Sequence, residues 1–165
     1  MLPSFQDVPR PALILGLGGL IPFYVISLPI WLTDPLYGYV LIDSLITYGA
    51  AILSSLGAMH WGAAMWQGEL EEAREEDEEE MDRAAWARYG WSVVPALIAW
   101  IATLLGPFFG LLLIALGVTL AYFIDVRACH AGFFPEWYAK LRKWLTLFVL
   151  IALANAVVSG VAGAF

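Results

Sequence analysis

The chain has 165 residues, 61% of them apolar and only 14% charged, with a mean hydropathy of +0.76. Soluble domains carry about 45–50% apolar and about 25% charged residues, so this composition excludes an ordinary water-soluble domain and points to the bilayer. The net charge of −7 is not spread over the molecule, because ten of the fifteen acidic residues fall between Glu69 and Asp82.

A helix needs about 20 apolar residues to cross roughly 30 Å of hydrocarbon, and five stretches reach that length. The first covers residues 11–32. It is too long for a leader's apolar region, lacks an A-x-A exit and is followed by further spans, so it reads as a span. Pro22, close behind Gly16, Gly18 and Gly19, predicts a kink in it. The second covers 40–66, and Asp43 near its start suits an N-cap, where a carboxylate accepts from free backbone N–H groups. Between 67 and 85 runs an acidic, proline-free segment of strong helix formers. It is expected to form a solvated helix, with pairs such as Arg74–Glu78. It is a solvated face, or a docking face for a basic partner or divalent cations.

Spans three and four, at 86–105 and 107–124, are joined by Gly106-Pro107 as a helical hairpin. A basic and aromatic loop, 125–143, leads to the fifth span at 144–164, which carries Asn155. Lipid cannot satisfy an open backbone and the segments are too long for barrel strands, so the fold class is all-α. The expected architecture is a single membrane domain, a compact bundle of five transmembrane helices. Small residues form stripes at helical spacing: Ala50, Ser54 and Ala58 at every fourth position; Gly110, Gly117 and Ala121 on one face, extended by Asp125; Ala152, Ala156 and Gly160, with Asn155, Ser159 and Gly163 beside them. Such stripes let helix backbones approach closely, within one molecule or between copies.

The basic residues orient the bundle. Arg10, Arg74, Arg83, Arg88, Arg127, Lys140, Arg142 and Lys143 are all eight of them, and five spans put every one on the N-terminal side. The positive-inside rule then predicts a cytoplasmic N-terminus and a C-terminus outside.

Ionisable groups at membrane depth are costly and are functional candidates by default. His60 lies late in span two, Asp125 and Arg127 close span four, His130 follows, and Arg142 opens span five. All belong to one membrane face, beside Trp61, Trp137 and Tyr138. Such a cluster can hold a headgroup, an anionic metabolite or a proton, or it can simply pin helix ends together. Asp125 is expected to pair with Arg127, Arg142 or His60, and Asp43 and Asn155 are secondary candidates. The only two histidines have no second ligand motif around them, and C-x-x-C-H is absent, so no metal or cofactor is expected. G-x-S-x-G, P-loop and H-E-x-x-H signatures are absent as well.

Two stretches, AILSSLGAMHWG (residues 51–62) and FPEWYAKLRKWLT (134–146), resemble the transmembrane-protein-69-like family. The matching residues are Ile52-Leu53-Ser54, His60-Trp61-Gly62, Trp137-Tyr138, Leu141-Arg142 and Leu145-Thr146, while Ser55 stands where the family shows an aromatic. The resemblance implies a bacterial inner-membrane or mitochondrial inner-membrane setting and brings no activity with it. The expected role is an accessory or assembly protein of a bacterial cytoplasmic membrane, with a polar site on the cytoplasmic side. Its expected partners are membrane lipids, a larger membrane complex, or a basic partner for the acidic segment, and no nucleic acid. A small transporter of protons or an anionic solute is the alternative, and a haem-, quinone- or lipid-binding protein the third.

Overall fold

The computed structural model describes residues 7–72 and 78–161. Among them all regular structure is helical: α1 (Arg10–Gly18), α2 (Ile21–Ser27), a 3-10 turn (Pro29–Leu32), α3 (Pro35–Glu72), α4 (Glu78–Leu104), α5 (Pro107–His130) and α6 (Glu136–Val161). The expected Arg74–Glu78 pair and Gly163 fall outside the described side chains.

The first pass is broken, which goes further than the kink expected of Pro22. Proline has no N–H to return to the Gly18 carbonyl, so α1 stops there and α2 restarts with Pro22 in its first turn. Pro29 then turns the last residues of the pass into the tighter 3-10 form. Each break frees backbone carbonyls, and lipid offers nothing to bond them. Side chains of other helices supply the partners. The Tyr48 hydroxyl donates to the Gly19 carbonyl at 3.0 Å, and Asn155 Nδ2 donates to the Ser27 carbonyl at 2.9 Å. Asn155 Oδ1 in turn accepts from Trp31 Nε1 at 3.1 Å, so the asparagine does bond across helices, as a clamp on the broken segment.

α3 begins earlier than expected because Asp34 caps it, its Oδ1 accepting from the Leu36 and Tyr37 N–H groups at 3.1 and 3.2 Å. The cap expected of Asp43 is therefore corrected: Asp43 sits exposed inside α3. At its other end α3 continues as helix into the acidic segment as far as Glu72, and α4 resumes at Glu78. The exposed aromatics Tyr39 and Trp66 mark the two ends of its membrane portion. They are separated by about 40 Å of helix rise, which matches a bilayer of roughly 40–45 Å including headgroups. Trp86, near the start of α4, is exposed as Trp66 is.

α4 is the least apolar pass. Arg10–Leu32, Pro35–Trp66, Pro107–His130 and Glu136–Val161 are each long and apolar enough to cross a membrane, whereas α4 dilutes its apolar run with Arg88, Tyr89, Ser92 and Pro95. Its course is set by its neighbours. The late residues of α3 and α5 meet at one end of the bundle, and Gly106 joins α4 to the start of α5 at the other, so α4 runs the full length between them.

Its contact with α3 is unusually close: a Cβ on Gly57 would lie 2.3 Å from the Ser92 carbonyl oxygen and 3.4 Å from Pro95. The expected small-residue stripes hold on α5, where Gly110, Gly117, Ala121 and Asp125 are all buried, and on α6, where Ala152, Ala156 and Ser159 are. On α3 the stripe holds only in part: Ala50 packs against the core and Ser54 is half-buried, but Ala58 is exposed. The packed face of α3 is instead Ile42, Leu45, Ile46, Gly49, Leu53, Leu56 and Gly57. The reason is complementary: the large side chains Ile46 and Leu53 fill the space that Gly110 and Gly117 leave on α5. Outside this core, Leu15, Ile21, Leu32, Leu36, Phe109, Leu116 and Val158 are exposed all round the bundle, an apolar surface that a water-soluble monomer does not carry.

Candidate functional site

Two helix ends define the site, and both differ from expectation. α5 continues past residue 124 to His130, and α6 begins at Glu136 rather than 144, so the expected 125–143 loop shrinks to the turn 131–135. Charged residues lower hydropathy, but they do not end a helix whose charges find partners inside the bundle. The turn is closed by Gly132 at φ +82°, a left-handed conformation open to glycine at little cost. Around it the Gly132 N–H donates to the Cys129 carbonyl and the Phe133 N–H to the Ala128 carbonyl, a glycine-ended helix cap. This sharp reversal sends Phe133 and Phe134 back towards α3 and α4.

Asp125 is the centre of the site. It is 1% exposed, and both carboxylate oxygens are engaged. His60 Nε2 lies 2.7 Å from Oδ1, while Arg142 Nε donates to Oδ2 at 2.6 Å and the Tyr138 hydroxyl donates to the same oxygen at 3.2 Å. Arg142 is itself 5% exposed, so charge is paired with charge in the dry part of the bundle. A buried carboxylate without such partners is strongly destabilising. With guanidinium and phenol donating to its other oxygen, Asp125 accepts from His60 Nε2 as well, so that nitrogen carries a proton. The ring is held from both sides, edge-on to Phe134 at 5.1 Å and to Trp91 at 6.3 Å between centroids.

His60, Asp125, Tyr138 and Arg142 therefore converge as the sequence suggested, from α3, α5 and α6. The remaining candidates do not join them. Arg127, two residues past Asp125, points to the exposed side of α5 and makes no ion pair among the described residues. Trp61 faces outward against Tyr89 of α4, at 5.1 Å. His130 is exposed at the end of α5, and Trp137 borders the network only through its edge contact with Tyr138. Asp43 lies at the other end of α3, and Asn155 belongs to the clamp on the first pass. Sequence reading passed over Trp91 and Phe134, which hold the imidazole. Trp91 falls one turn after Arg88 on α4, a spacing that puts both on one face, and Phe134 opens the second family-like stretch.

Beside His60 the bundle is hollow. A cavity of about 350 Å³ is lined by His60, Ala63 and Ala64 from α3, Ala87, Arg88 and Trp91 from α4, Ile124, Arg127 and Ala128 from α5, and Ala131 and Phe133 from the turn. The alanines are the cause: three helices meet here with side chains too short to fill the gap. The Arg88 guanidinium lies over the Phe133 ring at 5.7 Å, closing one edge. The Trp91 indole N–H is buried with no hydrogen-bond partner among the described residues, as is Nη2 of Arg142. From Trp66 down to His60 is about 9 Å of helix rise, which sets the cavity just below the aromatic belt. Among the described residues no three His, Cys, Asp or Glu side chains come together in a way that could hold a metal ion.

Comparison with known proteins finds relatives of this sequence that are named as transmembrane proteins. Transmembrane protein 69 of Xenopus tropicalis is 32% identical over 160 residues, covering 94% of this chain and 57% of the relative. The mouse (Mus musculus) protein of the same name is 28% identical over 146 residues, covering 88% of this chain and 55% of its own length. The chain thus spans a little over half the length of these curated relatives. No solved structure matches it. The model of the family described as protein of unknown function (DUF3429) matches residues 8–158, nearly all of the helical bundle just described, and the chain belongs to that family.

Proposed function

We propose that this membrane protein is an accessory protein that holds a small ligand at one end of its bundle, the end facing the cytoplasm of a bacterial cell. The observation that carries the reading is His60: its Nε2 is locked to a fully buried Asp125 at 2.7 Å, while its ring forms part of the wall of a 350 Å³ cavity. Binding pockets of this kind run from about 300 to about 1,000 Å³, mainly apolar with a few placed polar groups. A holding role suits the chemistry better than a catalytic one. Both oxygens of Asp125 are occupied, so it orients His60 and offers no free base to a substrate. The cytoplasmic assignment draws on the basic residues. Lys140 Nζ meets Asp7 Oδ2 at 3.4 Å, which ties the start of the chain to the start of α6 at the end where the basic residues gather.

The test is native mass spectrometry of protein extracted from its membrane in mild detergent. Wild-type protein is expected to retain a bound small molecule, and Ala63→Phe, which fills the cavity from α3, to lose it. Equal adducts in both, or none in either, would refute the holding role. A second reading, a small proton-coupled transporter, draws on the same His60–Asp125 contact, since histidine is the side chain that changes charge near neutral pH. Solute flux in liposomes that depends on His60 would favour it.

A further inference from the structure

We infer that the cavity beside His60 takes a single-chain anionic amphiphile, with a phosphate or carboxylate head at Arg127 and Trp91 and an apolar body among the alanines. This rests on the holding role proposed above and specifies what is held.

Two guanidinium side chains, Arg88 and Arg127, line the cavity beside His60, and among the described residues no carboxylate does. The nearest acid, Asp125, lies behind His60 with Arg142 as its counter-ion, so its charge is already balanced. Arg127 is exposed on α5 and has no ion-pair partner among the described residues. A guanidinium in that state presents a planar fork of donors suited to phosphate or carboxylate.

A second donor points the same way. The Trp91 indole N–H belongs to a cavity-lining side chain and is buried with no partner among the described residues. An unmade hydrogen bond of this kind costs about 1–3 kcal/mol, and a ligand acceptor that reached the indole as the side chain adjusts would recover it. Together the indole and the guanidinium give one buried and one exposed donor, an arrangement for an anionic head at the rim.

The rest of the wall is apolar. Ala63, Ala64, Ala128, Ile124 and Phe133 offer nothing to a free inorganic anion and everything to a hydrocarbon body. If each heavy-atom group takes up about the 30 Å³ that a water does in the liquid, the 350 Å³ holds about a dozen. Depth selects the source. The cavity lies just below the aromatic belt, and Ala87, Arg127 and Ala131 at its edge are exposed, so it opens where lipid heads meet their chains.

The experiment titrates the full chain in neutral detergent, with native mass spectrometry as readout. The probes are lysophosphatidate, lysophosphatidylcholine and inorganic phosphate. The expected result is one saturating lysophosphatidate adduct, bound at least tenfold more tightly than lysophosphatidylcholine. Arg127→Ala should weaken it tenfold or more and Trp91→Phe severalfold. Lys143→Ala, an exposed cation outside the cavity, should leave it unchanged. Because Arg127 is exposed, its replacement leaves the fold intact, and a melting curve checks this. Equal binding of the two lysolipids, or equal losses from Arg127→Ala and Lys143→Ala, would overturn the assignment. Displacement of lysophosphatidate by an equal concentration of inorganic phosphate would also overturn it, leaving a head-only anion site and the holding role intact. Equal adducts in wild type and Ala63→Phe, or none in either, is a separate result of the preceding experiment, and it alone removes the holding role.

Discussion

At the scale of single residues, the stability of this end of the bundle hangs on the balance of charge around Asp125. Its carboxylate and the Arg142 guanidinium are both buried, 2.6 Å apart, and neither can turn to water. Breaking such a pair by removing one partner typically costs about 3–5 kcal/mol, while replacing both by apolar groups is often neutral. Asp125→Asn is therefore expected to lower the melting temperature in detergent sharply. Asp125→Asn combined with Arg142→Leu should recover much of that loss, because no uncompensated charge remains. His60→Ala should cost less than Asp125→Asn, since it removes one donor and a ring but leaves the Asp125–Arg142 pair intact. Thermal melts of the three variants in one detergent decide it: a double variant no better than Asp125→Asn alone would mean that the pair contributes attraction beyond charge compensation.

At the scale of the elements, the bundle is organised by close approaches between helices that share no hydrophobic drive in lipid. The contact of α3 with α4 is the clearest. Gly57 has no room for a methyl group, since a Cβ would meet the Ser92 carbonyl oxygen at 2.3 Å, and a backbone atom cannot swing aside. Gly62, further along the same helix, has nothing within 4 Å of the same position. Gly57→Ala should thus force α3 and α4 apart at a cost of about 1–3 kcal/mol. Gly62→Ala should be neutral or slightly stabilising, because alanine is the better helix former by roughly 0.8–1.0 kcal/mol. Equal melts for the two variants would show that the α3–α4 contact relaxes freely. The separation matters beyond stability: Trp91 stands one residue before Ser92, so moving α4 away also loosens the ring against His60 and widens the cavity.

At the scale of the whole molecule, the arrangement puts the site, the late part of α3 and the start of α4 at the same end, with the described basic residues. Glu79 is exposed near the start of α4, and Gly106 is exposed in the turn at the far end. A cysteine at either position has space, and the native Cys129 is buried and a poor competitor for label. In inverted and right-side-out vesicles, Glu79→Cys is expected to react with an impermeant maleimide only from the cytoplasmic face, and Gly106→Cys only from the opposite face. Labelling of both from one side would remove the full-length crossing of α4 and with it the five-pass topology. The reverse pattern would keep the bundle but turn the site to the outside.

Much of this was legible in the chain itself. Membrane residence, helical class and the number of passes follow from long apolar runs, because the bilayer imposes its thickness on any sequence that crosses it. The common end of His60, Asp125 and Arg142 also follows, since alternating passes return their ends to the same face. What hydropathy could not show was where the charges go once helices pack. It ended α5 at residue 124 and began α6 at 144, although Asp125 and Arg142 satisfy each other and both helices run on through them. It could not phase α3 either: Ala58 is exposed, and Gly57, its neighbour, is the true contact. Only the tertiary structure separated Arg142, buried on the carboxylate, from Arg127, turned to the cavity rim. Two arginines near the same end of two helices read alike in one dimension. Which one meets Asp125 depends on helix rotation, and that is set by the glycines and large side chains of facing helices.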